Sequence, residues 1–375
     1  MSGSGFVIRV RALVRKETRQ MLRDRSTLLV GLMLPLVLIL LFGYGLSFDV
    51  RDAPVAVVID DPAPVARDAV AGLAGSPYLA PVYPADMAGA TALMRAHQVD
   101  AIVHLPLDFA RRRAMGDAQI QIILNGTDTT SATIIEGYLD SAIAEESLHD
   151  ADRAGPAGEP GAITIVPRMW FNDANESTWY LVPGLLVLIM TLIGAFLTSL
   201  LIAREWERGT LEALFVTPVR PIEIVIAKVA PYMVIGAIDI GVCLLSARFI
   251  FHVPIRGSLA LIVLTSLLYL AVSLLQGLWI SGMTRNQFAA SQVALLASFM
   301  PATMLSGFIF DLRNAPLVVQ WISQILPATH FMAVIKTLFL AGTVWSAVVQ
   351  ACAVLSLYIV VLGLLTHRTL RKRLD

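Results

Sequence analysis

Cysteine is nearly absent: Cys243 and Cys352 are the two in 375 residues, too few for a disulfide framework or a thiolate zinc site. Both lie inside apolar runs, where a free cysteine reads as a small buried apolar residue. Histidine is also sparse. His97, His104, His149, His252, His330 and His367 are scattered, and no two stand at a metal-ligand spacing. Charged residues make up 15% of the chain and balance to +0, so there is no global attraction to nucleic acid. Soluble domains carry about a quarter charged residues. The sequence contains no G-x-x-x-x-G-K-[ST] phosphate loop, no H-E-x-x-H zinc helix and no G-x-S-x-G nucleophile elbow. Nothing in it points to an enzyme, a resident metal or a bound cofactor.

What is present is apolar sequence in blocks. Apolar residues are 57% of the chain and mean hydropathy is +0.72. Six runs are long enough to cross a bilayer, which takes about 20 apolar residues. They are Leu28–Leu46, Trp179–Ala203, Val229–Ile250, Leu259–Gly282, Phe288–Phe310 and Val344–Thr366. No small-x-small cleavage site follows the first, so it is expected to remain as an uncleaved span. Tyr44, Trp179, Tyr180, Phe249 and Trp345 stand near run ends, as interfacial aromatics do.

The basic residues orient these spans. Arg9, Arg11, Arg15, Lys16, Arg19, Arg23 and Arg25 precede the first. Arg204, Arg208, Arg220 and Lys228 follow the second, Arg285 follows the fourth, and Arg368, Arg371, Lys372 and Arg373 follow the last. With six spans all four groups fall on one side, which the positive-inside rule assigns to the cytoplasm. Residues 1–27 have helical periodicity, with Phe6, Val10, Leu13, Val14 and Met21 on one face and arginines opposite. Two readings are open: a helix lying on anionic lipid, or a helix packed on a partner.

Residues 47–178 then form an outer domain. Its expected strands are Val55–Asp60, Ala101–Leu105, Ile120–Asn125 and Ile163–Val166. Its expected helices are Pro64–Ala74, Asp86–His97, Pro106–Met115 and Thr129–Leu148, followed by a Gly/Pro-rich linker, Ala151–Gly161. The alternation predicts an α/β layer with a partly parallel sheet. Residues 316–342 have a helical apolar pattern broken at Pro327, read as one or two short outer helices buried against protein; further crossings are the rival.

The most informative stretch is 204–228, REWERGTLEALFVTPVRPIEIVIAK, charged sequence between two spans of 179–203 and 229 onward. Trp206, Leu211 and Leu214 are expected to face the membrane or the bundle, and Glu205, Arg208 and Glu212 to face the cytoplasm. Gly209 breaks the helix, Thr210 caps the next one with Glu212 in its first turn, and Pro218 and Pro221 end it.

The pattern A-R-E-x-E-x-G-T-x-E-x-L-x-x-T-P-V, followed by E-I-x-x-x-K-x-x-P-Y, resembles the permeases of the ABC-2 exporter family. The order of one span, a large outer domain and five further spans is similar too, as is ILPATHFMAVIKTLFLAG before the last span. The resemblance implies a polytopic α-helical membrane protein with six transmembrane helices and an α/β extracytoplasmic domain between the first two. It implies that Arg204, Glu205, Glu207, Gly209, Thr210, Glu212, Thr217 and Pro218 form the coupling helix. That helix would dock a separate ABC ATPase carrying ATP and Mg, and residues 1–27 would be the connecting helix beside it. Further expectations are outward transport of an amphipathic drug or lipid-like substrate by alternating access, and a second permease copy or paralogue. A periplasmic membrane-fusion adaptor and a place in the bacterial inner membrane, with both termini (tail 367–375) in the cytoplasm, complete the picture. The competing class is a membrane sensor or scaffold whose outer domain binds a ligand.

Inside the spans, Asp239 is expected to be paired, protonated or facing water, because an isolated carboxylate there costs several kcal/mol. Either a substrate path or an interhelical hydrogen bond would explain it. The same two readings apply to Gln276, Ser291, Gln292 and Thr303. Pro35, Pro183, Pro231 and Pro301 are expected kinks. Gly184, Gly194 and Ala195 offer a close-approach surface that a second copy or a neighbouring span can use.

Overall fold

The computed structural model describes residues 3–45, 52–96, 98–125, 129–153, 177–309, 312 and 315–370, with the side chains of 3–4, 129–130, 145–153, 177 and 213–215 outside that description. The chain divides into two units, Ser47–Met169 and the remainder, Met1–Leu46 with Trp170–Asp375.

The smaller unit is an α/β layer. Its strands are β1 (Ala53–Ile59), β2 (Leu79–Val82), β3 (Ala101–Leu105) and β4 (Gln121–Leu124), in the spatial order β2-β1-β3-β4. β1 pairs in parallel with β2 and β3, while β4 runs antiparallel on β3. The sheet is therefore partly parallel, as the alternating pattern predicts. β2 was not expected; its sequence, Leu-Ala-Pro-Val, is short and contains a proline, which the edge position tolerates. The helices are α3 (Pro64–Asp68), α4 (Ala71–Gly75), α5 (Met87–Arg95), α6 (Phe109–Ala114) and α7 (Thr129–Arg153). One expected helix over Pro64–Ala74 is thus two. The central strand is buried on both faces: Val55 and Val57 pack with Leu73, Phe109, Ile135 and Leu139, and Ala56 and Val58 pack with Ala90, Val99 and Ile102. Asp61 accepts from the Ala63 and Ala110 amides at 2.9 and 2.8 Å, tying α3 to α6. The expected strand at 163–166 and most of the expected linker lie outside the described residues.

The larger unit is helical. α1 (Gly3–Arg23) is followed after one residue by α2 (Arg25–Gly45). That residue, Asp24, makes the corner: its carboxylate accepts from the Ser26 and Thr27 hydroxyls at 2.6 and 2.8 Å and from the Thr27 amide at 3.2 Å. Then come α8 (Ser177–Glu207), α9 (Thr210–Val216), α10 (Pro221–Leu245), α11 (Leu259–Thr284), α12 (Gln287–Ala294), α13 (Met300–Leu305), α14 (Leu317–Gln324), α15 (Pro327–Lys336) and α16 (Trp345–Thr369). Among the described residues six helical stretches are long and apolar enough to span a bilayer: α2, α8, α10 with its continuation to Ile250, α11, α12 through α13, and α16. α14 and α15 form a pair bent by 89°.

α8 continues past its apolar run to Glu207, up to the break expected at Gly209, whereas α10 begins at Pro221 rather than near Val229. Proline is preorganised for the first helical position, and the Glu223 carboxylate accepts from the Arg220 amide at 3.0 Å. Pro35, Pro183 and Pro231 sit inside continuous helices. Pro301 follows a π-helical turn, Leu295–Phe299, whose wider ring relieves the clash of a proline with the preceding turn.

α8 is the axis of this bundle. In its most apolar stretch 83% of residues are buried, against 22% in the matching stretch of α2 or α16. Gly194 lets Ser273 and the Leu274 backbone of α11 approach, and Gly277 of α11 sits on the Ala195 carbonyl. Thr198 Oγ1 donates to the Leu274 carbonyl at 2.9 Å, and Ser281 Oγ accepts from the Ile202 and Ala203 amides at 3.0 and 2.9 Å. Gly184 faces Phe308 and Met332. The small-residue surface of α8 is thus occupied within the chain and is not free for a second copy. α15 is buried through Phe331, Met332, Val334 and Ile335, with Phe331 stacked on Tyr269 at 4.4 Å. α14 departs from expectation: Leu317, Val318, Trp321 and Ile322 form an exposed apolar stripe rather than packing inward.

Candidate coupling site

The last turn of α8, the short α9 and the first turns of α10 build one corner of the bundle. α8 ends because Gly209 adopts φ +64°, the left-handed conformation that closes helices. A side chain at that glycine would meet nothing within 4 Å, so the requirement is one of backbone conformation. α9 then leaves at a new angle. Thr210 is its first residue, not its cap; its hydroxyl donates back to the Glu205 carbonyl at 3.3 Å. Leu211 is 2% exposed and anchors α9, while Glu212, Val216, Thr217 and Pro218 face outward.

Glu205 is the main correction at this site. It does not face outward with Glu212; it is 4% exposed. Its carboxylate lies 2.9 Å from Lys228 Nζ, itself 1% exposed, and 3.0 Å from Lys16 Nζ. Glu17, on α1, is 3.0 Å from Lys16 and 3.6 Å from Lys228. Two acids and two bases from α1, α8 and α10 thus neutralise one another, with Glu17, Glu205 and Lys228 buried and Lys16 closing the cluster from the surface. The reason is spacing: Glu205 falls one turn after the buried Leu201 and Ile202, on the inner side of α8. Burial works against the charge on Lys16, but Glu205 and Glu17 outweigh it and hold its pKa above the ordinary lysine value.

Further ties surround this cluster. Arg204 donates to Asp24 at 2.8 Å and to Gln287 at 3.3 Å. The Ser26 hydroxyl, then Arg204 and Thr27, keep the Asp24 carboxyl well below the usual range against the opposing effect of burial. Glu207 accepts from the Gln287 amide at 2.8 Å, and the Arg285 guanidinium lies 4.1 Å from the Trp206 ring centroid. Arg9 donates to both Glu223 oxygens, with its closest contact at 2.6 Å. The bond to Glu223 raises the Arg9 pKa.

α1 is therefore a packed helix through this face: Phe6, Val10, Leu13 and Val14 are half-buried and Met21 is buried. Its other side exposes Val7, Ile8 and Leu22 among arginines. Of the residues expected to form the coupling site, Arg204, Glu205 and Glu207 are internal ties. Gly209 and Thr210 form the corner. Glu212, Thr217 and Pro218 are on the exposed face. Glu223 and Lys228 are fixed letters in the second half of the motif, which did not show them to be buried, and Lys16, Glu17, Asp24 and Gln287 lie outside it. A signal existed for Glu17, which stands three or four residues from Leu13, Val14 and Met21 on the apolar face of α1.

The polar residues within the spans do not gather around one cavity. Asp239 is 1% exposed, and its Oδ2 has no hydrogen-bond partner among the described residues. Ser291 and Thr303 donate to the Phe288 and Phe299 carbonyls of their own helical stretch. Gln292 is exposed and Gln276 half-buried. A lateral groove of about 700 Å³ lies elsewhere, between α10, α11 and α16, and none of these five residues lines it.

Comparison with known proteins agrees with this architecture. The sequence profile described as "ABC-2 family transporter protein" matches residues 25–367. The chain is 39% identical over 370 residues to the "Probable multidrug ABC transporter permease YbhS" of Escherichia coli (strain K12), covering 98% of both chains. It is 28% identical over 338 residues to the "Probable multidrug ABC transporter permease YbhR" of the same strain, covering 88% of this chain and 90% of that one. It is 29% identical over 256 residues to "ABC transporter G family member 20" of Dictyostelium discoideum, covering 66% of this chain and 34% of that one. With six helices among the described residues long enough to span a bilayer and a family match over residues 25–367, this chain is a multi-pass membrane protein that belongs to the ABC-2 family of transporter proteins.

Proposed function

We propose that this chain is the membrane-spanning subunit of an ATP-driven exporter, with Glu212, Val216, Thr217 and Pro218 forming the surface that docks a separate ATPase. The observation that carries this reading is the corner at Gly209. A short helix projects outward there, while its two flanking helices are fixed to each other and to α1 by buried ion pairs. Such a corner can receive a push on α9 and pass it to α8 and α10 together. The sequence has no phosphate loop of its own, so ATP and Mg belong to the partner.

In this reading the end of the bundle that holds α1, α9 and the last turn of α16 lies in the cytoplasm of a bacterial inner membrane. Closure of the ATPases moves α9, the spans re-pack, and an amphipathic drug or lipid-like molecule crosses outward by alternating access. The names of the E. coli relatives support that substrate class. A second copy or paralogue completes the path. The α/β unit lies outside and meets the exit or a periplasmic adaptor.

The test is Glu212→Lys with Val216→Asp, two exposed positions away from the ion-pair cluster. Co-expressed with its ATPase, this variant should insert and purify normally while losing ATPase association or substrate-stimulated hydrolysis. Wild-type stimulation in the variant would sink the docking assignment.

A further inference from the structure

The groove between α10, α11 and α16 has a shape and a charge distribution that specify an occupant. Its walls are Ile222, Val225, Ile226, Val229, Ala230 and Met233 of α10, Ala271 and Leu275 of α11, and the last turns of α16. Every lining residue is apolar or glycine except His367, which closes one end. At about 700 Å³ it falls within the usual size of a small-molecule site. It opens sideways, on a surface where Ile222, Ile226, Val360 and Leu364 are already exposed.

Its length is decisive. From Ile222 to Met233 the helix rises about 16 Å, at about 1.5 Å per residue. That is about half of a hydrocarbon core about 30 Å thick, the depth of one leaflet. A helix from a second copy would need a seam running through both leaflets. The charge is decisive too. Ile222 and His367 lie at the same end of the groove, where Arg220 and Arg368 are exposed. The one acid on that turn, Glu223, is bound by Arg9 and accepts from the Arg220 amide, so Arg9, Arg220 and Arg368 together leave an excess of positive charge there. The apolar trough thus begins at a cationic mouth.

We propose that this groove is a binding site for one membrane phospholipid with an anionic headgroup. An acyl chain lies along α10 against Val229, Met233 and Leu275, and the phosphate sits beside His367, Arg368 and Arg220. The site stands whether or not α9 docks an ATPase, since it depends only on the bundle being in a membrane. Gly363 of α16 lines the groove, and a side chain placed there meets nothing within 4 Å, so the space is open to be filled.

The experiment is native mass spectrometry of the intact chain in mild detergent, loaded with phosphatidylglycerol or phosphatidylcholine of identical acyl chains. The wild type should retain phosphatidylglycerol in preference. Gly363→Phe with Ala230→Phe should lower retention of both lipids by about tenfold. His367→Ala with Arg368→Ala should keep phosphatidylcholine binding and erase the preference. Undiminished retention in the filled variant, or an intact preference in the alanine variant, would overturn the proposal. Should the filled variant fail to fold, phosphatidylglycerol with a photoreactive acyl chain is applied to the wild type. Adducts on Met233, Leu275 or Ile359 support the site, and adducts confined to other surfaces refute it. Efficient disulfide-linked dimers through Met233→Cys would also refute it, by placing a second copy in the groove.

Discussion

Lys228 shows how a single residue can dictate its surroundings. An ammonium group that is 1% exposed must be neutralised, and Glu205 and Glu17 do so from two other helices. Buried pairs of this kind add little net stability over an apolar replacement, yet breaking one is severe. Glu205→Ala should therefore destabilise the folded protein by about 3 kcal/mol, because it removes the closer partner of Lys228. Glu205→Met with Lys228→Met should recover most of that loss, since Lys16 and Glu17 still neutralise each other. Unfolding in detergent, followed by circular dichroism for the two single variants and the double variant, measures the coupling. If the double variant lost as much as the two singles added together, the cluster would not be a unit. The sequence made Glu205 visible as part of a motif but not as an interior residue. Its partners are 189 positions upstream and 23 downstream, and nothing local reports such a contact.

At the scale of elements, the corner between α8 and α9 rests on one backbone angle. Gly209 at φ +64° stands in open space, so any cost of replacing it comes from the backbone alone. Gly209→Val should cost about 1–2 kcal/mol and weaken the response of α8 and α10 to the ATPase. Gly209→Asn should cost less, because asparagine visits that region. Equal effects of the two on thermal midpoint and stimulated ATP hydrolysis would mean that the angle is not what matters. The glycine was legible because glycine in a helical pattern is a stop signal. The six spans were legible because apolar composition is a one-dimensional property. The start of α10 at Pro221 was less so: Ile222–Lys228 mixes charged and apolar residues, and only Arg9 and Glu17 of α1, with Glu205 of α8, explain why Glu223 and Lys228 sit inside. β2 was missed because an edge strand needs few β-forming residues. α14 was misplaced because periodicity shows that a stripe exists, not which neighbour covers it.

For the larger unit as a whole, the contact of α8 with α11 sets how tightly the bundle closes. Gly277 rests against the Ala195 carbonyl and the Thr198 hydroxyl, and that hydroxyl bonds to the Leu274 carbonyl at 2.9 Å. Gly277→Ala should push the two helices apart and cost about 1–3 kcal/mol. Gly241→Ala, where an added methyl meets nothing within 4 Å, should be neutral in the same thermal assay. A neutral Gly277→Ala would mean that the bundle gives more easily than its packing indicates. Because 83% of the most apolar stretch of α8 is covered by its own chain, the axis of the bundle leaves the lipid without help from a second subunit.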